Sequence, residues 1–245
     1  FMIALSYLFF IFAPDWRFVL IGMIISNLSL IYQPALDAIL ADSVPHEKRG
    51  MGYAATNVIP NIPTIFAPAT AGFLVQTYGL VPGMRIVYTV VFLCLMAAAI
   101  LRLLFLRETL DNPRKIKLAE LKEAFKNSLS AIAEAWRYMP TTLKFLTAAF
   151  LVSAFEEPMF RMFTSLYAFD VIGVSKIEWG LVNTASIATT LILGFPLGKL
   201  VDKFGRKKSI ILAYFFYIPS SIFFIVCGSF AQLLIVLMMF AVGGS

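Results

Sequence analysis

Four long stretches of this 245-residue chain contain no Asp, Glu, Lys, Arg or His, and they restrict its fold more than any other feature. They cover 18–36, 50–84, 179–198 and 209–245. About 20 apolar residues in an α-helix cross the hydrocarbon layer of a bilayer, because each residue adds about 1.5 Å. The composition agrees, since 60% of the residues are hydrophobic and 14% are charged, against about 45–50% and about 25% in soluble domains. We therefore predict an all-α polytopic membrane protein.

The scarcity of reactive side chains excludes several classes of function. Cys94 and Cys227 both lie in apolar stretches, and the single histidine, His46, lies in a polar loop. Neither a disulfide framework nor a site with several thiolate or imidazole ligands is available, so we predict no metal and no cofactor. The net charge is +6, and an excess of basic residues in a membrane protein usually lies in its cytoplasmic loops. We therefore predict no nucleic-acid partner. Because the chain begins and ends inside apolar segments, we expect it to be the middle of a longer protein.

Turn residues divide the apolar sequence into eight predicted spans. The turns are marked by Pro14-Asp15, Tyr78-Gly79, Pro82-Gly83 and Gly228-Ser229. The spans cover 1–13, 18–41, 50–77, 85–106, 145–169, 179–201, 209–228 and 229–245.

The charged segment 107–144 separates the fourth span from the fifth. It contains an apolar stripe at steps of three and four residues, which predicts an amphipathic helix along the membrane surface. The stripe consists of Leu118, Leu121, Phe125, Leu129, Ile132 and Trp136.

The distribution of basic residues predicts the orientation in the membrane. If alternate loops face the cytosol, sixteen Lys and Arg residues lie on that side and three, Arg17, Arg85 and Lys176, lie on the other. An excess of basic residues marks the cytoplasmic loops of a membrane protein. We therefore predict that 107–144 is cytoplasmic and that the protein lies in the plasma or inner membrane.

The loop between the sixth and seventh spans carries the most specific motif, Gly198-Lys199-Leu200-Val201-Asp202-Lys203-Phe204-Gly205-Arg206-Lys207-Lys208. Gly205 permits a tight reversal with positive φ, and Gly198 permits two helices to approach closely. Asp202 can accept hydrogen bonds from the N-terminus of a neighbouring helix, where the helix dipole favours an anion. Together these residues resemble the cytoplasmic-loop signature of the major facilitator superfamily.

Two further segments resemble the same superfamily. The segment 41–50 is similar to the loop between the fourth and fifth helices, in which an acidic residue, here Asp42, precedes a turn and an Arg-Gly pair, here Arg49-Gly50, opens the next helix. The segment 67–72 is similar to the Gly-Pro-x-x-Gly-Gly stretch associated with antiporters, with alanines in place of two glycines. We expect its small residues to form a close-packing face. We expect the helix to bend at its prolines, which are Pro60, Pro63 and Pro68.

The resemblance extends over nearly the whole chain and implies helices three to ten of a twelve-helix transporter. It divides the chain into the end of an N-terminal bundle at 1–106, a cytoplasmic amphipathic linker at 107–144 and the start of a C-terminal bundle at 145–245. It also implies a conformational gate on the cytosolic side. Its predicted members are Gly198, Asp202, Gly205, Arg206, Arg49 and Asp42. The fourth helix of many members carries an Arg before a Gly-rich stretch, but 22–30 contains no Arg, so the resemblance implies no proton antiport based on it.

Three charged residues lie in the middle of the fifth predicted span. Glu156 is near the membrane midplane, where an ionised group is costly unless it is paired. Glu157 and Arg161 are four residues apart on one helix face, a spacing that suits an ion pair. We predict that Glu157 is the paired carboxylate and that Glu156 carries a coupling proton or contacts solute, with a purely structural ion pair as the alternative. Amide side chains in membrane helices more often join helices than bind solute. The amides predicted as solute contacts are Asn57, Asn61 and Asn183.

These features favour secondary active transport of a small solute by alternating access, driven by a proton gradient or another gradient. The sequence contains no nucleotide-binding loop or catalytic triad, so we predict a monomeric transporter within the lipid bilayer rather than an enzyme. A sensory receptor and a membrane-embedded transferase are the alternatives. A retinal receptor needs a lysine in the middle of a span, and no predicted span has one. A transferase needs an acidic or histidine cluster at one membrane surface, for which Asp42, His46 and Glu47 are the candidates.

Overall fold

The computed structural model describes residues 1–44, 56, 58–106 and 118–243, with side-chain placements for all of these except 118–126, 129, 195, 198–202 and 206. Ten α-helices have their bounds within these ranges, and no β-strand occurs there. The predicted all-α fold is confirmed. The helices are α1 (Met2–Ile11), α2 (Trp16–Leu28), α3 (Gln33–Ser43), α4 (Ala67–Tyr78), α5 (Leu80–Phe105), α6 (Leu118–Tyr138), α7 (Thr141–Tyr167), α8 (Lys176–Phe204), α9 (Arg206–Ile225) and α10 (Phe230–Gly243).

The second predicted span is a helical run with a change of pitch near its centre. Asp15 caps its start, because the Asp15 carboxylate accepts a hydrogen bond from the Arg17 N–H at 2.8 Å. A 3₁₀ turn over Ser29–Tyr32 separates α2 from α3. Pro34 then lies in the first turn of α3, where no intrahelical N–H is required.

The prolines before α4 alter the chain more strongly than the sequence led us to predict. Two short 3₁₀ turns, Ile59–Asn61 and Pro63–Ile65, precede α4. Each proline lacks an N–H and cannot donate to the carbonyl four residues earlier. The prolines therefore interrupt the helix rather than only bend it.

A glycine makes the turn between α4 and α5. Gly79 has a φ of +85°, a conformation that favours glycine, and the predicted turn at Tyr78-Gly79 is confirmed. The predicted turn at Pro82-Gly83 is wrong, because α5 already begins at Leu80. Pro82 fits in the first turn of α5, where its missing N–H has no partner to lose.

Three helical runs of the described chain are long and apolar enough to cross a membrane: Trp16–Ser43, Leu80–Phe105 and Lys207–Ile225. The shorter helices α1 and α10 are also apolar. Helices α7 and α8 have 27 and 29 residues, which is about 40 Å of helix and more than the hydrocarbon layer of about 30 Å. The count of eight spans stays a prediction.

The chain forms two units, one of Phe1–Thr109 with Tyr167–Ser245 and the other of Leu110–Leu166. In the first unit α1 packs on α2 and α5, α4 packs on α5 and α8, and α10 packs on α8 and α9. Side chains such as Ala4, Val182 and Leu233 are fully buried there, whereas many large apolar side chains face outwards. Outward apolar side chains are expected for helices that are surrounded by lipid. The predicted division into bundles at 1–106 and 145–245 stays a prediction.

Candidate functional site

Two glycines bring α4 and α8 into main-chain contact. A Cβ placed on Gly72 would lie 2.5 Å from the Lys176 carbonyl oxygen, and a Cβ on Gly180 would lie 2.5 Å from the Pro68 carbonyl oxygen. Cβ atoms do not approach backbone atoms so closely, so a side chain at either glycine would separate the helices. The close-packing face predicted for 67–72 is confirmed.

Polar contacts fix the first turn of α8 beside these glycines. The Ser175 N–H donates to the Glu178 carboxylate at 2.7 Å, and the Ser175 hydroxyl accepts from the Glu178 N–H at 3.3 Å. This reciprocal pair is a capping box. The backbone hydrogen bond from Ser175, followed by that of its side chain, keeps the pKa of the Glu178 carboxyl below its usual value. From α4, the Gln76 side-chain oxygen accepts from the Lys176 N–H at 3.2 Å.

A cavity of about 320 Å³ lies beside this contact, between α4, α5 and α8. Its lining is mostly apolar, and Lys176 and Asn183 are its polar side chains. The Lys176 ammonium lies 3.2 Å from the centroid of the Phe169 ring, a cation–π contact. The Asn183 amide donates to the Trp179 carbonyl oxygen at 2.8 Å, within its own helix. Asn183 thus borders a cavity of ligand size, and its role in solute binding stays a prediction.

Glu157 and Arg161 form the ion pair that their spacing predicts. The Glu157 Oε1 and Arg161 Nη2 atoms are 3.1 Å apart, and the two side chains are 64% and 81% exposed. Pro158 lies in the same turn of α7 and cannot donate to the Ala154 carbonyl, which weakens the helix beside these charges. The Glu156 side chain is also exposed. Its part in coupling stays a prediction.

The structure describes only part of the predicted conformational gate. Arg49 is not described, and for Gly198, Asp202 and Arg206 the structure gives helical backbone without side-chain placement. Gly205 separates α8 from α9 with a φ of +87°, so the predicted tight reversal is confirmed. The contacts between the gate residues stay predictions.

The other predicted site residues are Asp42, Asn57 and Asn61. Asp42 is exposed near the end of α3, and Asn57 lies outside the described residues. Asn61 ends a 3₁₀ turn, where its carbonyl oxygen accepts a hydrogen bond from the Thr64 hydroxyl at 2.6 Å. Whether Asn57 and Asn61 share one face therefore stays a prediction.

Comparison with known proteins decides the family. The model of the Major Facilitator Superfamily matches residues 1–245, the whole chain. The chain belongs to the major facilitator superfamily. It is accordingly an all-α, multi-pass membrane protein.

Relatives within the superfamily are similar at low identity over most of the chain. The chain is 24% identical over 222 residues to the multi-drug resistance efflux pump PmrA of Streptococcus pneumoniae, which is 89% of this chain and 51% of that protein. It is 26% identical over 200 residues to the multidrug resistance protein MdtG of Enterobacter lignolyticus, covering 81% of this chain and 45% of the relative. The chain spans about half the length of these curated relatives. No solved structure matched it.

Sequence reasoning missed most of the contacts by which this superfamily member positions α8 against α4. The capping box could have been found, because Ser175 and Glu178 have the Ser-x-x-Glu spacing at the start of an apolar run. The small-residue stretch up to Gly72 was recognised, but Gly180 was not. Its partner is more than 100 residues away along the chain, and spacing within a single helix carries no information about such a contact.

Proposed function

We propose that the whole protein is a secondary active transporter that moves a small solute by alternating access between two helical halves. The observation that carries this proposal is the main-chain contact between α4, from the predicted N-terminal half, and α8, from the predicted C-terminal half. In the predicted orientation, Gly72 lies toward the outer end of the third predicted span, 50–77, and Gly180 lies near the outer end of α8. Among the described residues, no atom lies within 4 Å of a Cβ placed on Gly194, nearer the other end of α8. Tight contact at the outer end, without a described contact of this kind at Gly194, supports a pivot between the halves.

The cargo that we propose is a small, mostly apolar solute, which the protein exports. Two relatives are named as a multi-drug resistance efflux pump and a multidrug resistance protein. The apolar lining of the cavity between α4, α5 and α8, with Lys176 and Asn183 as its polar side chains, supports such a cargo.

We propose Glu156 as the residue that couples transport to a proton gradient. Charged residues inside a membrane helix commonly mark a solute or ion pathway, because retaining them for packing alone is costly. Its neighbour Glu157 pairs with Arg161, and Glu156 is an exposed carboxyl in the same turn of α7, which we propose exchanges a proton as the halves move. The segment 107–144 is proposed to lie in the cytoplasm, with the protein in the plasma or inner membrane, since the basic residues concentrate on that side.

Transport by the full-length protein in liposomes tests the proposal. Movement of ethidium, a lipophilic cation, is measured with and without an imposed pH gradient. We expect gradient-driven transport in the wild-type protein. Glu156→Gln should abolish the response to the gradient and keep the exchange of labelled for unlabelled dye. Glu134→Gln is the matched control, since it removes a carboxylate from α6, outside the predicted spans.

Other outcomes would separate the alternatives. Saturable dye binding without movement across the bilayer would favour a receptor and overturn the transporter proposal. Transfer of a chemical group to a lipid or solute would favour a membrane-embedded transferase. Gradient-driven transport by Glu156→Gln with unaltered pH dependence would keep the transporter and remove Glu156 from coupling.

A further inference from the structure

A second and larger cavity, of about 550 Å³, lies between α1, α3 and α5. Its walls are mostly aliphatic and include Leu36, Leu95 and Ala99. Ser29 also lines it, but its hydroxyl donates to the Ile25 carbonyl oxygen at 2.6 Å and is therefore satisfied within its own helix. Such a lining offers little to a polar solute and much to a hydrocarbon chain.

Arg102 is the charged side chain of this lining. Its guanidinium carbon lies 5.3 Å from the centroid of the Tyr32 ring, a cation–π contact that orients the group. None of the described carboxylates forms an ion pair with it. The guanidinium N–H groups therefore remain able to bind an anion, and their planar arrangement matches the oxygens of a phosphate.

The position of Arg102 along α5 places this charge near the membrane surface. The helix has 26 residues and Arg102 lies in its last turn. At 1.5 Å per residue α5 is about 39 Å long, which exceeds the hydrocarbon layer of about 30 Å. One end of the cavity is thus at headgroup depth, whereas its aliphatic walls lie at the depth of the acyl chains. In the proposed orientation this is the cytosolic surface, where anionic lipids concentrate.

We propose that this cavity binds an anionic phospholipid, with the phosphate on Arg102 and one acyl chain between α1, α3 and α5. The cation selects a negative headgroup, and the aliphatic walls select a lipid over a soluble anion. The site is separate from the cavity proposed for the cargo, and its function is to bind lipid rather than to transport.

Native mass spectrometry of the full-length protein titrated with phosphatidylglycerol or phosphatidylcholine tests the charge. Arg102→Gln should weaken phosphatidylglycerol binding about five-fold, the contribution of about one basic residue near an anionic headgroup. Phosphatidylcholine binding should not change. Arg102→Lys should lie between the wild-type protein and Arg102→Gln, because it keeps the charge and loses the planar fork. Arg17→Gln is the matched control, because Arg17 also contacts an aromatic ring, that of Trp16, but does not line this cavity.

A second variant tests the acyl-chain part of the site. Ala99→Leu fills the cavity and leaves Arg102 in place, so it should also weaken phosphatidylglycerol binding. Inorganic phosphate at millimolar concentration should not displace the lipid. Unchanged lipid binding in both Arg102→Gln and Ala99→Leu would overturn the proposal, and so would displacement by phosphate alone. If Ala99→Leu fails to fold and Arg102→Gln binds lipid as the wild-type protein does, another part of the full-length chain fills the cavity. This outcome also overturns the proposal.

Discussion

At the scale of single residues, the ion pair in α7 shows how the surroundings of two charges decide how much the pair contributes to stability. Glu157 and Arg161 are 3.1 Å apart. In water an exposed pair of this kind contributes about 0.2–1 kcal/mol, whereas an unpaired charge at the centre of a membrane helix costs about 2.5–3.5 kcal/mol. The energy of the pair therefore reports whether these side chains face water or the membrane interior.

We predict that Glu157→Gln lowers the thermal unfolding temperature of the full-length protein, because it leaves Arg161 unpaired. Glu157→Gln combined with Arg161→Gln should restore part of the loss. A double-mutant cycle should give a coupling energy of about 1 kcal/mol or more, above the range for wet surface pairs. A coupling energy near zero would show that water surrounds the pair and that it does not stabilise the fold.

A pH-dependent contribution is expected from the capping box of α8. Hydrogen bonds from Ser175 lower the pKa of Glu178 in the folded protein. Their stabilisation is therefore fully present above the pKa of the unfolded state and is lost as the pH falls through the lower folded-state pKa. Glu178→Gln should lower the unfolding temperature at neutral pH, because it removes the carboxylate that accepts from the Ser175 N–H, and its difference from the wild-type protein should shrink toward about pH 3.

The control for this pH series is Ser221→Ala. The Ser221 hydroxyl donates to the Tyr217 carbonyl oxygen at 3.1 Å and has no carboxylate in that contact. The effect of Ser221→Ala should therefore not vary with pH. A Glu178→Gln effect that stays constant over the same range would contradict a role for Glu178 ionisation.

At the scale of helices, the contact between α4 and α8 depends on the absence of two side chains. Gly72→Ala should force the helices apart, because its Cβ would meet the Lys176 carbonyl oxygen. Overpacking of this kind destabilises by about 1–3 kcal/mol, and we expect it to lower both the unfolding temperature and transport. Gly194→Ala is the matched control, since its Cβ would meet none of the described atoms within 4 Å and alanine favours a helix by about 0.5–1 kcal/mol over glycine. Equal stability of the two variants would show that the close contact is not needed.

The sequence predicted where helices occur more reliably than it predicted where they are interrupted. Long uncharged stretches identified α8 and α9, and the ion pair of α7 followed from a four-residue spacing within one helix. The 3₁₀ turns around Pro60 and Pro63 were not predicted, because a proline can bend or break a helix and tertiary packing decides which occurs. Residue spacing within one helix therefore predicted contacts within that helix, whereas contacts between helices far apart in the sequence required the structure.

At the scale of the whole molecule, movement of the two halves should depend on the loop between α8 and α9. We predict that Asp202 accepts hydrogen bonds from the N-terminus of the helix that opens at Gly50 and so holds the cytosolic side closed. Asp202→Asn keeps the size and removes the charge. It should raise the labelling rate of a cysteine introduced on the cytosolic side of the full-length protein and should lower transport.

Asp170→Asn is the control for this gate. Asp170 lies in the π-helical turn Ala168–Ile172 that follows α7, on the side of the membrane that we predict to be opposite the cytosol. Asp170→Asn should leave cytosolic labelling unchanged. If Asp202→Asn alters neither labelling nor transport, the loop is not a gate. The sequence predicts the members of this gate by motif, but it could not give the distance between residues as far apart as Arg49 and Asp202.

The contact between α4 and α8 also bears on how such a protein can acquire new cargo. Gly72 and Gly180 each face a backbone carbonyl, and the Gln76 side chain binds a backbone N–H, so α8 contributes mainly main-chain atoms to these contacts. Main-chain atoms remain the same when most side chains are exchanged. Mutations that reshape the cavity around Asn183 therefore leave these main-chain contacts in place. Under the proposed function, descendants of one ancestor can differ in cargo preference and still share the contact between α4 and α8.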